Sequence, residues 1–166
     1  VVATPLSKNN IFIVKYNSSG TVVWAKTYGG TGGDFAISIA TDATGNILLT
    51  GYFDSPSITF GGTVLTTPAN GAGDFYVAKF DAAGNALWAK KAGGNGWDTG
   101  TNICTDANGN VLVSGFFQSA SITFGSIVLT NAGWSDMFLA KYDSAGNFMW
   151  VKYAGGAGYD NGYVNV

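Results

Sequence analysis

The sequence predicts an all-β chain of repeated four-stranded antiparallel blades, and three observations predict it. The stretch DFYVAKFDAAGNALWAKKAGG, Asp74 to Gly94, recurs as DMFLAKYDSAGNFMWVKYAGG at Asp136 to Gly156 and more loosely as NIFIVKYNSSGTVVWAKTYGG at Asn10 to Gly30. Self-similarity at a fixed period is the mark of repeat architectures. Short β-branched and aromatic runs alternate with turns rich in Gly, Asn and Asp, and no helical period occurs. Register is also kept, since Trp24, Trp88 and Trp150 lie 64 and 62 residues apart, as do Lys15, Lys79 and Lys141, and Gly29, Gly93 and Gly155.

Taken in order, Val1 to Thr4 precede Pro5, which interrupts a strand. Ile11–Tyr16 (strand A) and Thr21–Thr27 (B) flank the turn Asn17-Ser18-Ser19-Gly20, a hairpin pattern. Ala36–Thr41 (C) and Asn46–Phe53 (D) follow, and the weak alternation of D suits a strand covered on both faces. A small hairpin, Ser57–Phe60 and Thr63–Thr66, closes the cycle. The second cycle places A at Phe75–Phe80, B at Ala86–Lys91, C at Thr101–Thr105, D at Asn110–Phe117 and the hairpin at Ser121–Phe124 and Ile127–Thr130. The third supplies A at Met137–Tyr142 and B at Phe148–Tyr153, and stops inside C, where Val166 corresponds to Cys104. About two and a half units result, and a four-stranded unit recurring every ~60 residues is the sequence form of a propeller blade.

Composition narrows the function. Of 166 residues, 46% are hydrophobic, which argues for a packed fold, but only 11% are charged, against about 25% in ordinary soluble domains. A net charge of −2 with eight evenly spread basic residues disfavours nucleic acid and anionic membranes. No apolar run approaches the ~18 residues of a membrane-spanning helix, so membrane insertion is not expected. The start at Val1 without Met fits either a removed targeting signal or a piece of a longer protein. A single cysteine, Cys104, excludes an intrachain disulfide and reads as a small buried hydrophobe.

The Gly-Gly loop, the Asp, the strand ending in D-x-x-G-N and the segment D-x-F-x-A-K-[FY]-D-x-x-G-N-x-x-W-x-K together resemble the bacterial β-propeller repeat called the SBBP repeat, over residues 10 to 166. That resemblance implies secreted or cell-surface bacterial proteins with four-stranded antiparallel blades. The chain departs from it in having too few repeats to close a ring, since propellers close with about four to eight blades. A fragment of a longer array, a subunit of an oligomeric ring and a subunit of an open filament all fit. At the ends, residues 1–9 form a lead-in that could complete a blade, because Val1-Val2-Ala3-Thr4 resembles strand D and the segment holding Val164 and Val166 resembles a strand C without its partner. Val1, Val2, Val164 and Val166 are therefore the candidate assembly residues, by strand addition between subunits.

The regular polar motifs have structural readings beside functional ones. In turns such as Asp42-Ala-Thr-Gly-Asn46 and Asp106-Ala-Asn-Gly-Asn110, Asp accepts bonds from turn amides while Gly takes φ > 0. Calcium is the alternative, with Asp106, Asn108 and Asn110 as ligands, although a hard cation wants about six to eight oxygens. Trp24, Trp88 and Trp150, each two residues before Lys26, Lys90 and Lys152, share a face with that Lys and read as packing between blades. Asp34, Asp98 and Asp160 recur after the Gly-Gly loops and read as loop ties. Trp97 and Tyr159 precede two of them, so Trp97, Asp98, Tyr159 and Asp160 form a candidate glycan-binding set. The chain has no His, and no carboxylate pair is set apart, so an enzyme is not expected. The reading is therefore an extracellular structural or adhesive repeat protein, partnered by itself or by further repeats and needing no cofactor. A lectin-like module is the alternative.

Overall fold

A computed structural model of the chain describes residues 9–68 and 72–161. The described residues form β1 (Ile11–Tyr16), β2 (Val22–Tyr28), β3 (Asp34–Thr41), β4 (Ile47–Phe53), β5 (Ser57–Phe60), β6 (Thr63–Thr66), β7 (Asp74–Phe80), β8 (Ala86–Ala92), β9 (Asp98–Thr105), β10 (Val111–Phe117), β11 (Ser121–Phe124), β12 (Ile127–Thr130), β13 (Asp136–Tyr142) and β14 (Phe148–Ala154). Every pair of neighbouring strands is antiparallel. Among the described residues no helix is long and apolar enough to cross a membrane.

Two complete blades are present among the described residues, with strand orders β3-β4-β7-β8 and β9-β10-β13-β14, preceded by a half-blade, β1-β2. The blade is therefore C-D-A-B and straddles two sequence repeats. The cause lies in the two connections. The Gly-Gly loop after B carries the chain out of its sheet, whereas D returns beside the next A in unbroken register, from Ile47 opposite Phe80 to Phe53 opposite Asp74. The small hairpin loops out between those two strands and forms its own two-stranded sheet. C strands also begin earlier than the propensities predict. Asp34 and Asp98 pair with Phe53 and Phe117, and a bulge farther along each strand absorbs the irregular residues.

Side chains alternate between the faces of each blade. On β7, Phe75 and Val77 join the cluster shared with β10, β13 and the hairpin residues Ile122, Phe124 and Leu129. Tyr76, Ala78 and Phe80 join the cluster on the other face, with Ile11 and Ile13 of β1 and the hairpin residues Ile58, Phe60 and Leu65. All of β7 is consequently buried, and each of its aromatic rings contributes on the order of 2–3 kcal/mol of apolar burial.

Blades converge along their inner strands, where β3 runs close to β9, and splay at their outer strands. The hairpins fill that wedge, β5–β6 between β2 and β8 and β11 between β8 and β14. Phe60 lies 5.2 Å from Tyr28 and 5.3 Å from Tyr76, and Phe124 lies 5.9 Å from Phe75 and 4.9 Å from Phe138. One phenylalanine per hairpin thus joins two blades.

Candidate functional site

The recurring structure that could do work is the junction at which one blade's outer strands meet the next blade's A–B turn. That turn is made rigid by its own side chain. Asp81 Oδ1 accepts from the amides of Ala83 and Asn85 at 2.9 and 2.8 Å, and its Oδ2 accepts from Asn85 Nδ2 at 2.9 Å. Gly84 takes φ 77, which a side chain would resist. The carbonyl of Ala82 then points back at the preceding blade and accepts from Trp24 Nε1 at 3.3 Å and Lys15 Nζ at 2.9 Å. Lys26 Nζ donates to Asn85 Oδ1 at 3.1 Å, so Trp24 and Lys26 do share a face and address one turn.

The next junction repeats the arrangement. Trp88 Nε1 and Lys79 Nζ donate to the Ser144 carbonyl at 3.2 and 3.3 Å. The indole rests on Gly146, where a Cβ would stand 2.6 Å from the ring. Glycine at this position is thus required both by its φ of 83 and by the tryptophan above it.

Three equivalent lysines show that the junction has two halves. Lys79 reaches the next blade's turn and also pairs with Asp42, in its own blade's C–D turn, at 3.0 Å. Lys141 pairs with Asp106 at 2.8 Å, and among the described residues Lys15 has the carbonyl alone. Burial pushes the Asp42 carboxyl up, but hydrogen bonds from Thr44, Asn46 and Lys79 outweigh it and hold it well below the usual carboxylate range. At Asp106 the hydrogen bond from Lys141, with that from Asn110, has the same effect.

The residues singled out in the sequence fall into different places. Asp106 Oδ1 accepts from the amides of Asn108 and Asn110, each at 2.9 Å, and Oδ2 from Asn110 Nδ2 and Lys141 Nζ, each at 2.8 Å. Asp106 and Asn110, with the Asn108 amide, thus lock the turn, and the Lys141 ammonium sits on the same carboxylate. No cluster of three or more metal-ligating side chains occurs among the described residues. Cys104 is half-buried where full burial was expected, and burial pushes its thiol up. The assembly residues Val1, Val2, Val164 and Val166 lie outside the described residues.

The candidate glycan set separates as well. Asp98 is fully buried, accepting from Ser119 Oγ at 2.6 Å, from the amides of Ser119 and Gln118 at 3.1 and 3.2 Å, and from Gly94 N at 3.0 Å. Both of its oxygens are occupied, so it ties loops and presents nothing to a ligand. Asp160 accepts from Gly156 N at 2.7 Å. Trp97 lies against Tyr52, ring centroids 4.4 Å apart, and Tyr52 stacks on Phe35 at 4.9 Å. Tyr159 stacks at 5.6 Å on Trp134, and both rings are 65% exposed. Trp134 escaped the sequence reading because its counterpart in the preceding repeat is Ala72. A lone aromatic in a loop where the repeat has none was the available signal.

Burial pushes Asp98 up to about 6, against the hydrogen bonds from Ser119 and Gly94, and the nearby charge of Asp74 adds to the rise. A carboxyl whose folded pKa lies above its unfolded value of about 4 favours folding below that pH, and the benefit is lost as pH rises through 6. Wild-type stability should accordingly decline by roughly 3 kcal/mol between about pH 4 and 6 from this group. Asp98→Asn, neutral throughout, should show no such decline in urea unfolding measured across that range. An unchanged pH profile would count against the buried acid as its source.

Antiparallel blades interlocked through turns and wedge hairpins define a β-propeller-type repeat protein. No family model matches the chain. Over 142 residues it is 32% identical to an uncharacterized WD repeat-containing protein of Acanthamoeba polyphaga mimivirus, covering 79% of this chain and 10% of that protein. Over 141 residues it is 25% identical to the regulatory protein FlaEY of Caulobacter vibrioides, covering 84% of this chain and 15% of that protein. The chain thus spans a small part of the length of these relatives. WD repeats build propellers of four-stranded blades, which agrees with the architecture found here.

Proposed function

We propose that the chain is a structural or adhesive repeat module, of the secreted bacterial SBBP type, that builds or decorates a cell-surface assembly by adding blade to blade. The carrying observation is that, among the described residues, the outer faces of β1–β2 and β13–β14 are less covered than the same faces of the strands between them. Phe12 and Tyr16 are each 57% exposed, whereas Tyr76 and Phe80 at the same positions of the next repeat are fully buried. At the other end Met137, Leu139 and Trp150 are half-buried, where Phe75, Val77 and Trp88 are buried. Large apolar faces without a cover mark contact surfaces. The sparse charge of the chain and its likeness to SBBP repeats support the extracellular setting.

Light scattering and negative-stain microscopy of the purified chain test this reading. Species that grow with concentration, as rings or filaments, are expected, and a strictly monomeric 17.2 kDa particle at all concentrations would defeat it. The exposed Trp134–Tyr159 stack favours a second reading, a glycan-binding module, which differs in requiring a saturable ligand and no self-association.

A further inference from the structure

We propose that copies of the chain join head to tail, the outer face of β13–β14 in one copy receiving the β1–β2 half-blade of the next, through the contacts that already join successive blades within the chain. The proposal rests on the self-assembly reading above and names its interface.

Inside the chain each junction has two donors and one acceptor. Trp24 and Lys15 converge on the carbonyl of Ala82, and Trp88 and Lys79 converge on that of Ser144. The third pair of donors is Trp150 and Lys141. Neither has a turn carbonyl to donate to among the described residues, and the Lys141 ammonium makes only its Asp106 contact. The third acceptor is the Ser18 carbonyl, which occupies the position of Ala82 and Ser144 in the first A–B turn.

That turn is already in its working shape. Asn17 Oδ1 accepts from the amides of Ser19 and Thr21 at 3.1 and 2.8 Å, and Gly20 has φ 78, as the Asp81 and Asp143 turns have with Gly84 and Gly146. It differs in what lies above the glycine. Cβ atoms placed on Gly84 and Gly146 would stand 3.0 and 2.6 Å from the Trp24 and Trp88 indoles, while one on Gly20 would meet nothing within 4 Å. Among the described residues the seat for a tryptophan is formed with nothing over it, and one tryptophan of this series, Trp150, has no such seat.

The apolar faces agree with this pairing. Phe12, Val14 and Tyr16 correspond to Tyr76, Ala78 and Phe80, and to Phe138, Ala140 and Tyr142, all six of which are buried against the preceding blade. Met137 and Leu139 correspond to Phe75 and Val77, buried against the following one. Because the two surfaces differ, the contact is heterologous: each added copy leaves one head and one tail free, and growth ends only if the rotation closes a ring.

Two single variants test the interface. Trp150→Ala removes the tail donor and Phe12→Asp spoils the head face, and both side chains lie on open faces, so both variants should fold, as circular dichroism will show. In analytical ultracentrifugation of the full chain, wild type should associate with rising concentration, and each variant alone should bind itself about 30-fold more weakly or worse. Mixed in equal amounts, the variants should form a heterodimer and nothing larger, since each supplies the surface the other lacks. If wild type associates but the variants associate equally well, or their mixture stays monomeric, this interface is wrong while self-assembly stands. If wild type itself is monomeric, both ideas fall, and another repeat or a different protein covers these faces.

Discussion

Replacing Trp88 by alanine should lower the unfolding free energy by about 3–5 kcal/mol in urea or guanidinium titrations. Trp88 is 9% exposed and packs in one cluster with Phe75, Phe124, Phe138 and Tyr142. Its ring lies 6.3 Å from that of Tyr142 and its N–H donates to Ser144 across the junction. Alanine would leave a cavity at the junction and take one of its two donors from the Ser144 carbonyl, which keeps Lys79, and the paired backbone of β7–β8 and β13–β14 limits collapse into the space. Trp150→Ala, at the equivalent but open position, removes far fewer contacts and should cost the monomer less than about 1.5 kcal/mol. Equal costs for the two substitutions would show that the junction does not couple the blades.

Lys79→Met should cost about 3 kcal/mol at neutral pH, measured the same way. The substitution keeps the apolar stem but removes the ammonium that joins the Asp42 carboxylate to the Ser144 carbonyl, and the two side chains of the ion pair are only 4% and 6% exposed. The pH dependence has a definite sign. A carboxyl whose folded pKa is depressed, as that of Asp42 is, contributes stability above its unfolded value of about 4, and that stability is lost as pH falls below it. Lys79→Met weakens the depression, so the variant should lose less stability than wild type on acidification from pH 5 to 2. Adding Asp42→Asn to Lys79→Met should restore part of the neutral-pH loss by removing the stranded charge. A cost within about 0.5 kcal/mol and an unaltered acid limb would mean the pair is no better than a surface salt bridge.

The two substitutions bear on opposite sides of one question, what makes a blade hold its neighbour. Apolar interdigitation supplies the energy, and the lysine–carbonyl–aspartate chain fixes the register in which it is delivered. An apolar face alone would tolerate sliding of one blade over the next. The convergence of Trp and Lys on a single carbonyl permits one position, and the φ > 0 glycine beside that carbonyl keeps the approach clear.

Much of this was legible in the residues. The A–B hairpins lie where the runs between D-x-x-G-N turns put them, because turn chemistry is local: Asp, Gly and Asn act within five residues of one another. The pairing of Trp with Lys two residues on was equally readable, since strand alternation is a property of the backbone. Burial of β4 on both faces followed from its lack of polar alternation. Asp98 was readable as a loop tie, but its partner was not, because Ser119 lies in a loop 21 residues away that only the fold brings to it.

What the sequence determined by itself was the all-β class, the repeat and its period, since these arise from alternation, turn residues and self-similarity within a few residues of chain. Which four consecutive strands make a blade was decided only in three dimensions. A period is unchanged by where counting starts, and the choice of C-D-A-B over A-B-C-D rests on the unbroken β4–β7 register and on the Gly-Gly loops leaving the sheet. Tertiary structure also separated the satisfied lysine and tryptophan from their identical but half-satisfied copies at Lys15, Lys141 and Trp150. Equal letters in a repeat acquire different energies when, among the described residues, one has a neighbouring blade on both sides and another on one.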